Sequence, residues 1–292
     1  MGTVGFVGLG NMGSVLASNL VQTGHAVVAY DVLGPERVPE GATYASDVAE
    51  LARCAEVVVL SLPDGAASRQ VAGEILAVAD RCTTHVVDTS TVGVRSAQRL
   101  EAMCTANGVA YVDAPVSGGV AGARARTLAV MYAGSDDACA RVGPVLAGLS
   151  DLRHRVGDRP GLGQAMKLAN NFLSAAALVA TSEAVVFGVA EGLDMATMLA
   201  VLNGASGRSA ATSDKFPNHV LTGRYASGFT KSLMAKDMDL YLRAVEDGGS
   251  AASIGAVTVS VWERFAAAEP GADFTRIYPF VEQSVMAQED SP

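Results

Sequence analysis

The sequence predicts an α/β domain built on a doubly wound parallel sheet, followed by an all-helical domain. Three observations carry that expectation. A glycine triplet stands between a short apolar run and a helix. Short apolar strands then alternate with helices as far as residue 156. After Gly163 the hydrophobic period is 3.6 residues to the end, with no further strand.

The elements follow in order. Thr3–Val7 is a short run with β-branched residues. GLGNMG (8–13) comes next, then SVLASNLVQTG as a helix ending at Gly24, then AVVAYD as a second strand closing on Asp31. Strand, G-x-G-x-x-G, helix, strand and a terminal acid form the Rossmann dinucleotide fingerprint. Gly8 allows the tight turn, Gly10 lets the backbone approach a pyrophosphate, and Gly13 lets the helix pack on the strand. Asn11 and Met12 complete the loop. The helix start offers N–H groups and a positive dipole end to phosphates. Asp31 would accept from ribose hydroxyls and repel a 2′-phosphate, which favours NAD over NADP.

EVVVLSLP (56–63) reads as a buried strand whose end, Leu62-Pro63, opens onto a cofactor. Gly65–Ala79 is helical. HVVDTST (85–91) is a strand with Thr91 at its polar end, since ligands of such sheets sit beyond the carboxyl ends of the strands. Val94–Asn107 is a helix and GVAYVDAP (108–115) a strand stopped by Pro115. Ser117-Gly118-Gly119 is a flexible, donor-rich turn: either an ordinary glycine loop or a carboxylate site. RTLAVMYAG (126–134) is a strand, Asp136–Ala147 a helix and Leu152–Val156 a last strand.

The boundary falls at DRPGLG, dividing residues 1–162 from residues 163–292. The stretch 161–192 is the spine of the second part. Gln164, Lys167 and Asn171 share one helical face near its start. Lys is rarely buried without a partner, and the residues alone leave two readings: Lys167 snorkels outward, or it is sealed in as a functional amine. Ser174, Thr181, Ser182 and Glu183 interrupt the apolar run, which makes it a core helix and not a membrane span. Ala196–Leu202, Ser232–Glu246, Ile254–Ala268 and Phe274–Ala287 read as helices. NGASGRS (203–209) is a loop anchored by Arg208, Lys236-Asp237 a surface ion pair, Trp262 a core residue, and the tail QEDSP frayed.

Composition narrows the functional classes. Net charge is −9, from 21 basic and 30 acidic residues, with no basic block, so nucleic acid is not an expected partner. The four cysteines lack metal or redox spacing and read as buried thiols in a reducing cytosol. The four histidines share no metal-ligand spacing, and the N-terminal run has no signal-peptide flank.

Four separated motifs, GFVGLGNMG (5–13), DAPVSGGVAGA (113–123), GLGQAMKLANN (161–171) and the Lys236-Asp237 segment, give the chain a resemblance. It resembles the β-hydroxyacid dehydrogenase family, whose members include 3-hydroxyisobutyrate dehydrogenase and tartronate semialdehyde (glyoxylate) reductase. The resemblance implies a 6-phosphogluconate dehydrogenase-like fold, a site between the two domains, NAD as cofactor, a small carboxylate substrate and a cytoplasmic homodimer or homotetramer. By position it makes Lys167 the catalytic lysine and Asn171 the amide that holds it and the substrate. Ser117, Gly118 and Gly119 become the substrate-carboxylate loop. Leu62, Pro63, Thr91 and Lys236 fall beside the cofactor. The implied chemistry is reversible oxidation of a β-hydroxy acid to its semialdehyde, with Lys167 as general acid and base. A free lysine, with pKa about 10.4, needs desolvation or a neighbouring cation for that work.

One departure stands out. The family usually has Gly where this chain has Arg126, before Thr127-Leu128, which suggests an altered turn or a preference for a second substrate charge. The rival readings are a tartronate semialdehyde or glyoxylate reductase, a phosphogluconate dehydrogenase, an imine reductase and a non-catalytic NAD(H)-binding module. Asn170 argues against the second, where His is usual, and retention of Lys167 against the last two.

Overall fold

The computed structural model describes residues 2–268 and 271–289, with side chains to residue 283. The chain forms two compact units, residues 1–167 and 168–292.

The first unit is built on a nine-stranded sheet. Its strands are β1 (Val4–Val7), β2 (Val27–Tyr30), β3 (Thr43–Tyr44), β4 (Val57–Leu60), β5 (His85–Asp88), β6 (Ala110–Asp113), β7 (Val116–Ser117), β8 (Ala129–Ala133) and β9 (Arg153–Gly157). The order is β3-β2-β1-β4-β5-β6-β8-β7, with β9 on β8. It reverses between β1 and β4, which places a crevice at their carboxyl ends.

The six strands from β3 to β6 are parallel, as the sequence predicts. The far edge departs from that expectation, because β8 runs antiparallel to both β6 and β7. The cause is connection length. Residues 118–128 hold only one short helix, α5 (Gly119–Arg124), and a parallel crossover needs a dozen or more residues.

Alternate residues of each strand feed two cores. Val57 and Val59 of β4 pack with α1 (Gly13–Gln22) and α6 (Asp136–Leu149). Val58 and Leu60 pack with α2 (Val48–Cys54), α3 (Gly65–Ala77) and α4 (Val94–Thr105). This is the period-two pattern of a strand covered on both faces. Each fully buried Val or Leu contributes about 1.5–3 kcal/mol by leaving water.

The second unit is helical: the rest of α7 (Leu162–Ala190), α8 (Met195–Gly204), a π-helical segment (Ala211–Val220), α9 (Lys231–Asp247), α10 (Ser253–Ala268) and α11 (Ile277–Glu289). Trp262 is fully buried, as expected, and donates to the Ala175 carbonyl. Phe172 stacks on Tyr241 at 4.4 Å. Lys231 is also buried: its ammonium donates to the Phe265 carbonyl at 2.7 Å and lies over that residue's ring. α7 spans 29 residues and is apolar and long enough to cross a membrane. Within its most apolar window 39% is buried, and Leu173 and Phe187 stand exposed. It is a core helix on one face only.

Four smaller expectations change. Cys54 and Cys82 are exposed, so only Cys104 and Cys139 are buried thiols; all four are free. Arg208 is exposed, and no side-chain hydrogen bond or ion pair ties it to the described residues. α11 runs to Glu289, so Gln288 and Glu289 of the tail lie in its last turn, and residues 290–292 lie outside the described residues. Arg126 sits at φ +58, the left-handed region where glycine is favoured. Its guanidinium donates to the Ala147 and Gly148 carbonyls and to Asp151, at the end of α6. A cation suits a helix C-terminus, so Arg126 is committed to the fold. Arg126→Gly is therefore expected to leave the order of mono- over dicarboxylate substrates unchanged. Arg126→Ala keeps the unfavourable φ and loses the same contacts. Thermal melts are expected to place it below Arg126→Gly by about 1 kcal/mol.

Candidate functional site

The glycine loop joins β1 to α1. Gly8 has φ +96, and a Cβ there would stand 2.4 Å from the Ser61 carbonyl oxygen. At Gly13 a Cβ would stand 1.9 Å from the Gly8 oxygen, so the helix packs on the turn with no room for a side chain. At Gly10 a Cβ would meet nothing within 4 Å, which leaves the backbone open to a ligand. Met12 gives α1 no side-chain cap, and no acid stands in its first turn. An uncapped helix start beside an open glycine fits a pyrophosphate. At the end of β2, Asp31 accepts from the Leu9 N–H at 2.5 Å and the Leu33 N–H at 2.9 Å. It ties the loop to the strand end and keeps lone pairs for further donors. Val32 and Leu33 beside it are exposed.

The neighbouring strand ends lie close by. Leu62 packs within 3.0 Å of where a Gly8 Cβ would be. The Leu62 N–H donates to Ser90 Oγ at 2.8 Å. Pro63 is exposed and Thr91 half-buried. Ser117 is not in a bare turn. It pairs with Ala129 in β7, and Gly119 opens α5, so the expected loop is a strand-to-helix corner. Gly118 and Gly119 have φ +132 and +68 and turn that corner. A Cβ on Gly118 would also crowd Leu128 at 3.0 Å.

Lys167 is 6% exposed, which decides between snorkelling and burial in favour of burial. It lies in the second turn of α7, and Asn171 follows one turn later at 5%. The Asn171 amide donates to Asp237 Oδ2 at 2.6 Å. Lys236 Nζ lies 3.4 Å from Asp237 Oδ1. The expected surface pair is therefore half wrong. Lys236 is partly exposed but Asp237 is buried, because it serves as acceptor for Asn171.

Sequence reasoning passed over two buried acids, Asp88 and Asp113, at the carboxyl ends of β5 and β6. Asp88 accepts from the Ser90 N–H and the Tyr111 hydroxyl. Asp113 Oδ2 accepts from the Gln164 N–H at 2.8 Å. Burial pushes the Asp113 carboxyl up to about 7, with Asp88 adding to the rise. An acid closing an apolar strand was the available signal.

The raised pKa of Asp113 carries a stability consequence. Between the unfolded value of about 3.9 and about 7, folded Asp113 holds a proton that the unfolded chain releases. Asp113 therefore withdraws stability as pH rises through that window. Asn at this position still accepts from Gln164 but cannot ionise. Asp113→Asn is expected to melt above the parent near pH 8 and to lose that advantage near pH 4, in melts followed by circular dichroism.

A cavity of about 110 Å³, lined in part by His25, Glu56 and Arg141, lies at the amino ends of β1 and β4. It is at the wrong end of the sheet for this site. No group of three or more His, Cys, Asp or Glu residues suited to a metal occurs among the described residues.

Sheet order, glycine loop and open helix start define a dinucleotide-binding domain. Residues 3–157 match the NAD binding domain of 6-phosphogluconate dehydrogenase. Residues 161–281 match the family described as NAD-binding of NADP-dependent 3-hydroxyisobutyrate dehydrogenase. The chain belongs to the β-hydroxyacid dehydrogenase family of 3-hydroxyisobutyrate dehydrogenase type, and is a dehydrogenase acting on CH–OH donors. A probable 3-hydroxyisobutyrate dehydrogenase of Mycobacterium tuberculosis is 34% identical, over 95% of this chain and 97% of its own. The 2-(hydroxymethyl)glutarate dehydrogenase of Eubacterium barkeri is 33% identical, over 89% and 88%. The Mycobacterium tuberculosis 3-hydroxyisobutyrate dehydrogenase solved with L-serine superposes with a TM-score of 0.90 at 32% identity, over 96% and 99%.

Proposed function

We propose that this chain interconverts a small β-hydroxy acid and its semialdehyde with NAD, and that Lys167 is the general acid and base. The observation that carries the proposal is a buried lysine one turn before a buried asparagine that is itself held by a buried acid. Bound NAD supplies the two-electron acceptor at its nicotinamide ring. Gly8, Gly10, Asn11, Met12 and Gly13 hold the pyrophosphate, and Asp31 holds the adenosine ribose. Leu62, Pro63, Thr91 and Lys236 flank the cofactor. Ser117, Gly118 and Gly119 bind the substrate carboxylate. Lys167 accepts the hydroxyl proton in oxidation and returns it in reduction. Asn171 fixes the amine without adding charge.

Asp31 favours NAD, because its carboxylate would face a 2′-phosphate with like charge. We place the domain boundary at 162/163. Exposed Leu173, Phe187, Ile254 and Val257 on α7 and α10 suit burial against a second copy, as dimer or tetramer. Four free thiols suit the cytoplasm.

The test is reduction of NAD and of NADP over a panel holding 3-hydroxyisobutyrate, glycerate, L-serine and 2-(hydroxymethyl)glutarate, with light scattering for the assembly. Turnover of a β-hydroxy acid with a higher kcat/KM for NAD is expected. Cofactor binding without turnover of any panel member would favour a sensing module instead.

A further inference from the structure

We propose that Gln164 is a positioning residue, the hub that locks the lysine-bearing turn of α7 to three strand ends of the sheet. Gln164 is fully buried. Its Oε1 accepts from the N–H groups of Val92 at 2.9 Å and Gly93 at 3.1 Å. Its Nε2 donates to the Ser90 carbonyl at 3.0 Å. Its own N–H donates to Asp113 Oδ2 at 2.8 Å. Ser90 in turn accepts from the Leu62 N–H. One side chain and one amide thus join the ends of β5 and β6 directly, and that of β4 through Ser90, to the first turn of α7.

The packing leaves that turn no alternative place. A Cβ on Gly163 would stand 2.7 Å from the Met131 carbonyl oxygen and 2.8 Å from Asp113 Oδ2. Only glycine brings the backbone close enough for the Gln164 amide to reach Asp113. Lys167 follows Gln164 by three residues on the same helical face. Residues 90–93 also carry Thr91, and Asp113 leads into the Ser117 corner. The hub therefore sets the amine against the segments assigned to cofactor and substrate. Every bond is buried, so loss of the carboxamide leaves two N–H groups and a carbonyl without partners. Gln164 touches none of the reacting atoms; it acts through Lys167. This inference rests on Lys167 being the acid and base.

The experiment uses the whole chain with Gln164→Leu, Gln164→Glu, Lys167→Ala and a control, Leu146→Ala, a buried residue of α6 that makes none of the hub's hydrogen bonds. Gln164→Leu is expected to lower kcat about 30-fold, since a misplacement near 1 Å costs up to about 100-fold. NADH affinity is expected to stay within about threefold, because the glycine loop is untouched. Amide hydrogen exchange at 90–93 and 162–167 is expected to quicken. Leu146→Ala is expected to lower stability while kcat stays within about threefold. Gln164→Glu keeps the acceptor for Val92 and Gly93 and loses the bond to Ser90, and is expected to fall between parent and Gln164→Leu. Should Gln164→Leu not fold, Gln164→Glu decides, and parental kcat in it overturns the proposal. So does unchanged exchange at 90–93, or a kcat loss in Gln164→Leu no larger than in Leu146→Ala. Turnover retained by Lys167→Ala sinks the lysine assignment instead. Turnover lost there but kept in Gln164→Leu sinks the hub alone.

Discussion

Lys167→Ala is expected to lower kcat by about 100- to 10,000-fold, the range of a lost general acid and base, with NADH affinity nearly unchanged. The geometry makes this a clean test. Lys167 lies inside α7, where alanine is the best helix former, so the helix persists. Its side chain is buried, so alanine leaves a cavity and the melting temperature is expected to fall by a few degrees. A variant that is folded at the assay temperature, binds NADH and fails to turn over places the defect in the chemical step. A variant with turnover within about tenfold of the parent would end the assignment, whatever its stability. Partial recovery with added methylammonium would show that the missing group is an amine and not merely volume.

The first half of this fold was legible where function and fold use local geometry. The glycine loop is read from spacing because each glycine answers a contact only a few residues or one strand away. The strands β1, β4, β5 and β6 are read from short apolar runs buried on both faces. α2 carried a legible start, Asp47 capping the Glu50 N–H while Glu50 reaches back to Ser46. It was passed over because its seven residues show too little period. The direction of β8 was not legible, since it depends on how far residues 118–128 reach. The π-helical segment encloses Pro217 and follows no 3.6-residue pattern.

The site divides in the same way. Lys167 and Asn171 were legible as a pair one turn apart. That Asp237 is sealed beneath Asn171 was not, because the two are 66 positions apart in the chain and burial is a tertiary property. Gln164 shared the lysine's face in the sequence, but its three bonds to residues 90–93 exist only once α7 meets the sheet. Arg126 was visible as an oddity; its role at the end of α6 required the coordinates of a helix 21 residues away.

The glycine loop offers a contrast between two substitutions of equal size. At Gly13 a methyl group would lie 1.9 Å from the Gly8 carbonyl oxygen and 3.1 Å from Ser61 Cβ. The first neighbour is backbone and cannot rotate away, so α1 must lift from β1. Gly13→Ala is expected to cost about 1–3 kcal/mol of stability or more, the range for overpacking a closed interior. It is also expected to weaken NAD by at least about tenfold, since the helix start no longer faces the loop. At Gly10 the same methyl group meets no protein atom within 4 Å. Gly10→Ala is expected to leave stability within about 0.5 kcal/mol, while the methyl occupies the space a pyrophosphate needs and weakens NAD by about tenfold or more. Calorimetry for binding and thermal melts for folding separate the two. If Gly10→Ala bound NAD as the parent does, the dinucleotide would not approach the chain at this turn. If Gly13→Ala melted with the parent, the close seat of α1 on β1 would not be what holds the loop in shape.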